Sequence, residues 1–252
     1  MKCTTKFQRL FLGIATTAIV ASCSQTDETP DTQSHVSMKA TMATSTSTES
    51  SGGGLTYGNL TFTDVKMSVE DIKLNLRATS EASNQPTIVN LKNKGPQVLT
   101  LVEEGQIVVA PVADATVYNG IYGKVDFNLI PAANVLEDDE MFGKSVLVKA
   151  DWNGIPAELS LDIEDEVEVK FNKGIEVDGA KTFILILYMD RLLDGIDPSS
   201  IVDGDGDGLI EVGPSDDDGN VEVYEQLKMN IESSLEMKNG EFDEDKEMGK
   251  NN

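Results

Sequence analysis

The chain has 252 residues, enough for one large domain or one domain with a small appendage. Its apolar share of 39% lies below that of a typical globular domain, which places unstructured segments at the two ends. A formal charge of −24 excludes phosphate-backbone recognition, so nucleic acid is not an expected partner, and it makes the surface hospitable to divalent cations.

The chain begins with a basic region, Lys2, Lys6 and Arg9, followed by an apolar run from Leu10 to Val20 and then Ala21-Ser22-Cys23. The run is too short to span a bilayer, and its flanks are those of a secretory signal. Small residues directly before Cys23 resemble a bacterial lipobox. That resemblance implies that residues 1–22 are removed and that Cys23 carries lipid on its thiol and its new amino terminus. The plainer alternative is a cleaved signal that happens to contain a cysteine. Several acyl chains together anchor a protein stably, where one would be marginal. Cys3 leaves with the signal, so the mature chain keeps no thiol for a disulfide, a nucleophile or a zinc ligand. Residues 23–34 read as a solvated tether. Ser24, with the acidic cluster Asp27, Glu28 and Asp31, resembles the start of surface-exposed lipoproteins, which implies an outer-membrane location facing the cell exterior.

From residue 35 to 190 the hydrophobic period is two. Val36, Met38, Ala40 and Met42 share one face. "STSTESSGGG" then breaks the pattern as a loop. In "LTFTDVKMSVEDIKLNL" the alternation changes phase twice. Leu60 and Phe62 give way to Val65, Met67 and Val69, then to Ile72, Leu74 and Leu76, and each change predicts a bulge or bend. "VLTLVEEGQIVVAPV" reads as two strands around "EEGQ", and "VLVKADWNGIPAELSL" as a hairpin across Asn153-Gly154. "VEVKFNKGIEV" predicts a strand pair turning near Asn172 to Gly174. "KTFILILYMD" is apolar on both faces, as a central strand covered on both sides must be. About nine short strands with regular turn signals and few helical patterns predict an all-β fold. The expected form is an immunoglobulin- or transthyretin-like antiparallel β-sandwich with a short C-terminal helix; a barrel shows similar spacing.

Residues 191–220 change character. "RLLDGIDPSSI" is a short helix or turn limited by Gly195 and Pro198. "DGDGDGLIE" then places Asp203, Asp205 and Asp207 at alternate positions before Gly208, the first half of an EF-hand-type calcium loop. Alternate residues turn their oxygens inward as the chain curls, and Gly permits the sharp turn. Leu209 would offer its backbone carbonyl, Ile210 a hydrophobic anchor, and Glu211 a carboxylate. The closing position holds Pro214, which has no side-chain oxygen. Asp216, Asp217 or Asp218 could close the shell in a loop two to four residues longer than usual, and Asp216 is taken as the sixth ligand. A flexible Asp/Gly linker is the competing reading. Without a cation these carboxylates repel one another, so a structural calcium ion is expected, at an affinity on the order of 10⁻⁴–10⁻³ M.

Residues 221–238 predict an amphipathic helix with Val221, Tyr224, Leu227, Ile231 and Leu235 on one stripe and Asn220 as its N-cap. Residues 239–252 form an acidic tail of disordered composition. Hydrolytic chemistry finds little support. The single histidine, His35, provides neither a Ser-His-Asp triad nor a His-based zinc site, and no GxxxxGK loop is present. Trp152 beside the Asn153-Gly154 turn is either a sugar-stacking platform or a core residue.

The segments "GIYGKVDFNLIPA", "VLVKADWNGIPAEL" and "TFILILYMDRLLDGID" resemble a family of uncharacterised Gram-negative envelope lipoproteins. The likeness covers residues 35 to 200, and such proteins often carry an Asp-rich loop near the C-terminus. It implies a β-sandwich lipoprotein without catalytic activity. The expected function is non-enzymatic: a calcium-stabilised binding, adhesion or accessory module with a glycan or protein ligand. The alternatives are a fimbrial or pilus-like subunit assembled by strand addition and a carbohydrate-active enzyme.

Overall fold

A computed structural model of the chain describes residues 33–45, 55–78, 88–92, 95–197 and 200–239. The signal segment, Cys23 and nearly all of the tether lie outside the described residues, as does the acidic tail past residue 239.

The protein is built of two mixed β-sheets, neither of them closed. In the smaller sheet β1 (Gln33–Ala43) lies between β12 (Lys181–Tyr188) and β7 (Ala110–Tyr118), and β14 (Leu235–Asn239) pairs on the far side of β12. Val36, Met38, Ala40 and Met42 are buried on one face of β1, as their alternation requires. β12 is covered on both faces. Phe183, Leu185 and Leu187 enter the main core, while Ile184, Ile186 and Tyr188 form a second cluster with Ala43.

The larger sheet runs β11 (Asp165–Val177), β8 (Gly120–Leu129), β3 (Leu60–Ala78), β9 (Val146–Trp152), β10 (Ile155–Leu161) and β13 (Ile210–Val212). β2 (Leu55–Tyr57), β4 (Ile88–Lys92) and β5 (Gln97–Glu103) also pair with β3, and β6 (Gln106–Ile107) pairs with β5. The long strand β3 bends where its hydrophobic phase changes. Its register slips between Phe62 and Asp64 against β9 and between Glu70 and Lys73 against β8, and Asp71 sits at φ 50°. These bulges keep Leu60, Phe62, Val65, Met67, Val69, Ile72 and Leu74 all buried. The hairpin across Asn153-Gly154 forms as expected, with φ of 52° and 89° as a type I′ turn demands.

Four expectations are corrected. The sheets are mixed rather than purely antiparallel, because β1 with β12 and β10 with β13 run parallel. Period-two alternation marks which residues face the core but is the same for either strand direction. The described residues form 14 strands rather than nine, several too short to show any alternation. "VEVKFNKGIEV" is one bulged strand, β11, rather than a pair. At its bulge Gly174 has φ 72°, and a Cβ there would lie 2.4 Å from Ile121 Cγ2. Finally, the predicted helix over 221–238 ends at Ser234: α2 (Val221–Ser234) gives way to β14. Leu235 satisfies both periods, but Met237 extends only the alternating one.

The C-terminal segment is thus woven into both sheets. β12 leads through a one-turn helix, α1 (Met189–Leu192), and a loop to β13 on the edge of the larger sheet. α2 then crosses to β14 on the edge of the smaller sheet. Val223, Tyr224, Leu227 and Ile231 on its inner face join the main core, so α2 walls one open side of the sandwich.

Candidate metal centre

The loop between α1 and β13 is shaped by its own aspartates. Asp203 Oδ1 accepts the Gly206 N–H (2.7 Å) and Oδ2 the Gly208 N–H (3.0 Å). Asp205 Oδ1 accepts from the Asp207 N–H (3.0 Å), and Asp207 Oδ1 from the Leu209 N–H (2.8 Å). Short acidic side chains favour such local bonds, and Gly206 and Gly208 supply the left-handed turns, at φ 77° and 90°.

A second segment closes on this loop. The turn after β13 folds back and inserts Asp218, which is 4% exposed. Its Oδ1 accepts the Gly204 (2.9 Å) and Asp205 (3.3 Å) N–H groups, and its Oδ2 accepts the Glu211 N–H (2.5 Å). Burial opposes its charge, but the N–H donors of Glu211, Asp205 and Gly204 outweigh that and hold the carboxyl below its ordinary range. Gly204 is required here, because a Cβ would fall 2.1 Å from the Asp218 carbonyl oxygen.

One carboxylate oxygen from each of Asp203, Asp205 and Asp218 lies within 4.8 Å of the others. A carboxylate oxygen has more than one lone-pair site, so accepting an N–H leaves capacity for a cation. Three such groups at this separation repel one another unless a positive charge stands among them. The set can therefore hold a metal ion, and its all-oxygen character suits a hard cation.

The sequence-predicted ligands divide. Asp203 and Asp205 are in the cluster. Asp207 is exposed and outside it, its Oδ1 engaged by Leu209. Asp216 is also outside. It is exposed at φ 55° and serves as a turn residue, its N–H directed to the Gly213 carbonyl (3.4 Å) and its own carbonyl accepting from Gly219 (3.2 Å). Among the three candidates for the closing position, the structure brings in Asp218. Leu209 is half-buried beside the loop, and Ile210 is buried in β13. Glu211 is half-buried next to the cluster. Burial first, and then the charges of Asp217, Asp218, Asp207 and Glu158, push its carboxyl above the usual range.

Asn220, expected from the sequence as the N-cap of α2, does more than start that helix. Its carbonyl does accept the first α2 bonds, from Val223 and Tyr224, but its side chain makes no cap bond. Instead it is 3% exposed and clips three backbone groups: Oδ1 accepts from Val202 N–H (3.1 Å), and Nδ2 donates to the carbonyls of Val202 (2.9 Å) and Glu211 (2.8 Å). The loop, β13 and the start of α2 are thereby fastened together. Tyr224 adds a bond from its hydroxyl to Asp162. His35 lies exposed on β1, its Nε2 3.3 Å from Asp114 Oδ1.

No family model matches this chain, and no curated protein matches it either. Among solved structures it is similar to MbnP from Methylosinus trichosporium, with 8% identity and a TM-score of 0.32 over 66% of this chain and 79% of that one. A superposition that loose carries nothing about what this chain binds.

Proposed function

We propose that this protein is a calcium-stabilised β-sandwich lipoprotein, anchored in the outer membrane through Cys23 and facing the exterior. It acts as a non-enzymatic binding or accessory module. The observation that carries the reading is the Asp203, Asp205 and Asp218 cluster, built from two segments that meet only in the folded chain. Its donors are all oxygen, which favours calcium over zinc or copper, and nearby backbone carbonyls and water can raise the ligand number towards the six to eight that calcium takes. The ion's task is structural. It holds the loop against the turn that launches α2, and α2 walls the core.

Support for the anchor comes from the sequence around Cys23. Among the described residues no helix is long and apolar enough to cross a membrane. The metal assignment is tested by calorimetric titration of the metal-stripped mature protein with calcium. Saturable binding in the wild type, lost in Asp203→Ala/Asp205→Ala, is expected. Equal heats in both proteins would reject the site.

A further inference from the structure

A cleft that shares no residue with the Asp203, Asp205 and Asp218 cluster has a lining unlike the rest of the core. Two hairpin tips form one side of it. Leu60 pairs with Trp152 across β3 and β9, and the Asn153 N–H donates to the Asn59 carbonyl at 3.3 Å. Leu193 and Ile196, from the turn after α1, form the other side. The cleft is open at its mouth and has a volume of about 190 Å³. Leu60, Leu193 and Trp152 are buried and make an apolar floor.

The polar groups of the cleft lack protein partners. Among the described residues no hydrogen bond uses the Tyr57 hydroxyl, the Asn59 amide or the Trp152 indole N–H. These groups stay free to bond whatever enters the adjoining space. Tyr57 is half-buried and Asn59 exposed, so both can meet a ligand from the mouth of the cleft.

We infer that this cleft binds one neutral pyranose ring, the terminal residue of a glycan. Three observations converge on that class. The lining holds no charged side chain, and the chain's strong negative charge disfavours anions. An apolar cavity of about 150 Å³ accommodates benzene, so this volume admits a single six-membered ring and little more. A flat apolar ring offers no partner to the hydroxyl, the amide or the indole N–H, whereas a ring that carries hydroxyls can bond them. A pyranose offers an apolar C–H face to Trp152 and Tyr57 and peripheral hydroxyls to Asn59 and the indole. The inference names a ligand class for the binding module proposed above and rests on that reading.

Trp152 is the sole tryptophan of the chain, so emission excited at the red edge, where tyrosine does not absorb, reports this cleft alone. The calcium-loaded mature protein is titrated with the methyl pyranosides of glucose, galactose and mannose, with N-acetylglucosamine, with glucuronate and with toluene. At least one neutral pyranoside is expected to change Trp152 emission saturably in the millimolar range, with glucuronate silent. Asn59→Ala and Tyr57→Phe remove groups without protein partners and leave folding intact. Each is expected to weaken binding about 3- to 10-fold, the loss of one hydrogen bond. The inference is overturned if no neutral pyranoside moves the emission, if both variants bind as the wild type does, or if toluene alone moves it. Pyranoside heat with silent Trp152 emission rejects this cleft and leaves the binding-module reading standing. Loss of calcium binding with the sugar response intact rejects the metal reading and leaves the cleft.

Discussion

Asp218 and Asn220 each use one short side chain to join stretches of backbone that sequence distance keeps apart. Asn220 alone satisfies a donor at Val202 and acceptors at Val202 and Glu211. Asn220→Ala deletes all three bonds from a side chain that is itself buried, and a destabilisation of about 1–3 kcal/mol is expected by urea unfolding. A second residue-scale prediction concerns acid. Glu140 sits between two lysines on the outer face of the larger sheet. Hydrogen bonds from Lys149 and then Lys66 hold its carboxyl down from 4.5 to about 2. A carboxyl lowered by folding stabilises the protein fully above its unfolded pKa, and the contribution disappears as pH falls through the folded value. The stability difference between wild type and Glu140→Gln should therefore be constant above pH 4.5, shrink as pH falls from 4.5 to about 2, and vanish below. Urea midpoints of both proteins across that range measure it, and a difference that ignores pH would contradict the pairing. At this scale the sequence was only half legible. Alternate aspartates before a glycine announced Asp203 and Asp205, because the chemistry is local. Spacing put Asp218 among three candidates for the closing position but could not choose between them, because the choice is made by the fold of the turn over residues 213–219. The crowding that requires Gly204 is equally invisible until Asp218 is in place.

Among the elements, β3 and α2 show what periodicity can and cannot reveal. Each phase change in β3 matched a bulge, because slipping one residue would otherwise turn apolar side chains to solvent. β12 was recognisable as a doubly covered strand for the related reason that both of its faces are apolar. The end of α2 was not, since Leu235 fits the helical stripe and the strand alternation equally. Strand direction was likewise hidden, which is why the parallel pairs came from the structure alone. α2 carries the heaviest structural burden of the C-terminal segment, with Leu227 1% exposed at its centre. Leu227→Ala should lower stability by about 2–5 kcal/mol. A loss below 1 kcal/mol in chemical unfolding would mean that α2 is not a wall of the core but a loosely attached surface helix.

At the scale of the whole molecule, the proposed anchor and the proposed metal site each make a prediction. With Cys23 lipidated, the mature protein should partition into detergent and sediment with membranes, and Cys23→Ala should release it to the soluble fraction. A wild-type chain that remains soluble would remove the anchor. The metal loop links the two sheets through β13 and α2, so binding at Asp203, Asp205 and Asp218 should stabilise the whole sandwich rather than one loop. Thermal unfolding of the mature protein with and without millimolar calcium tests this most directly, beside Asp203→Ala/Asp205→Ala. A single cooperative transition is expected, which calcium shifts upward by several degrees in the wild type and leaves unmoved in the variant. Identical melting temperatures with and without calcium in the wild type, or an equal shift in the variant, would rule out a structural ion at this site.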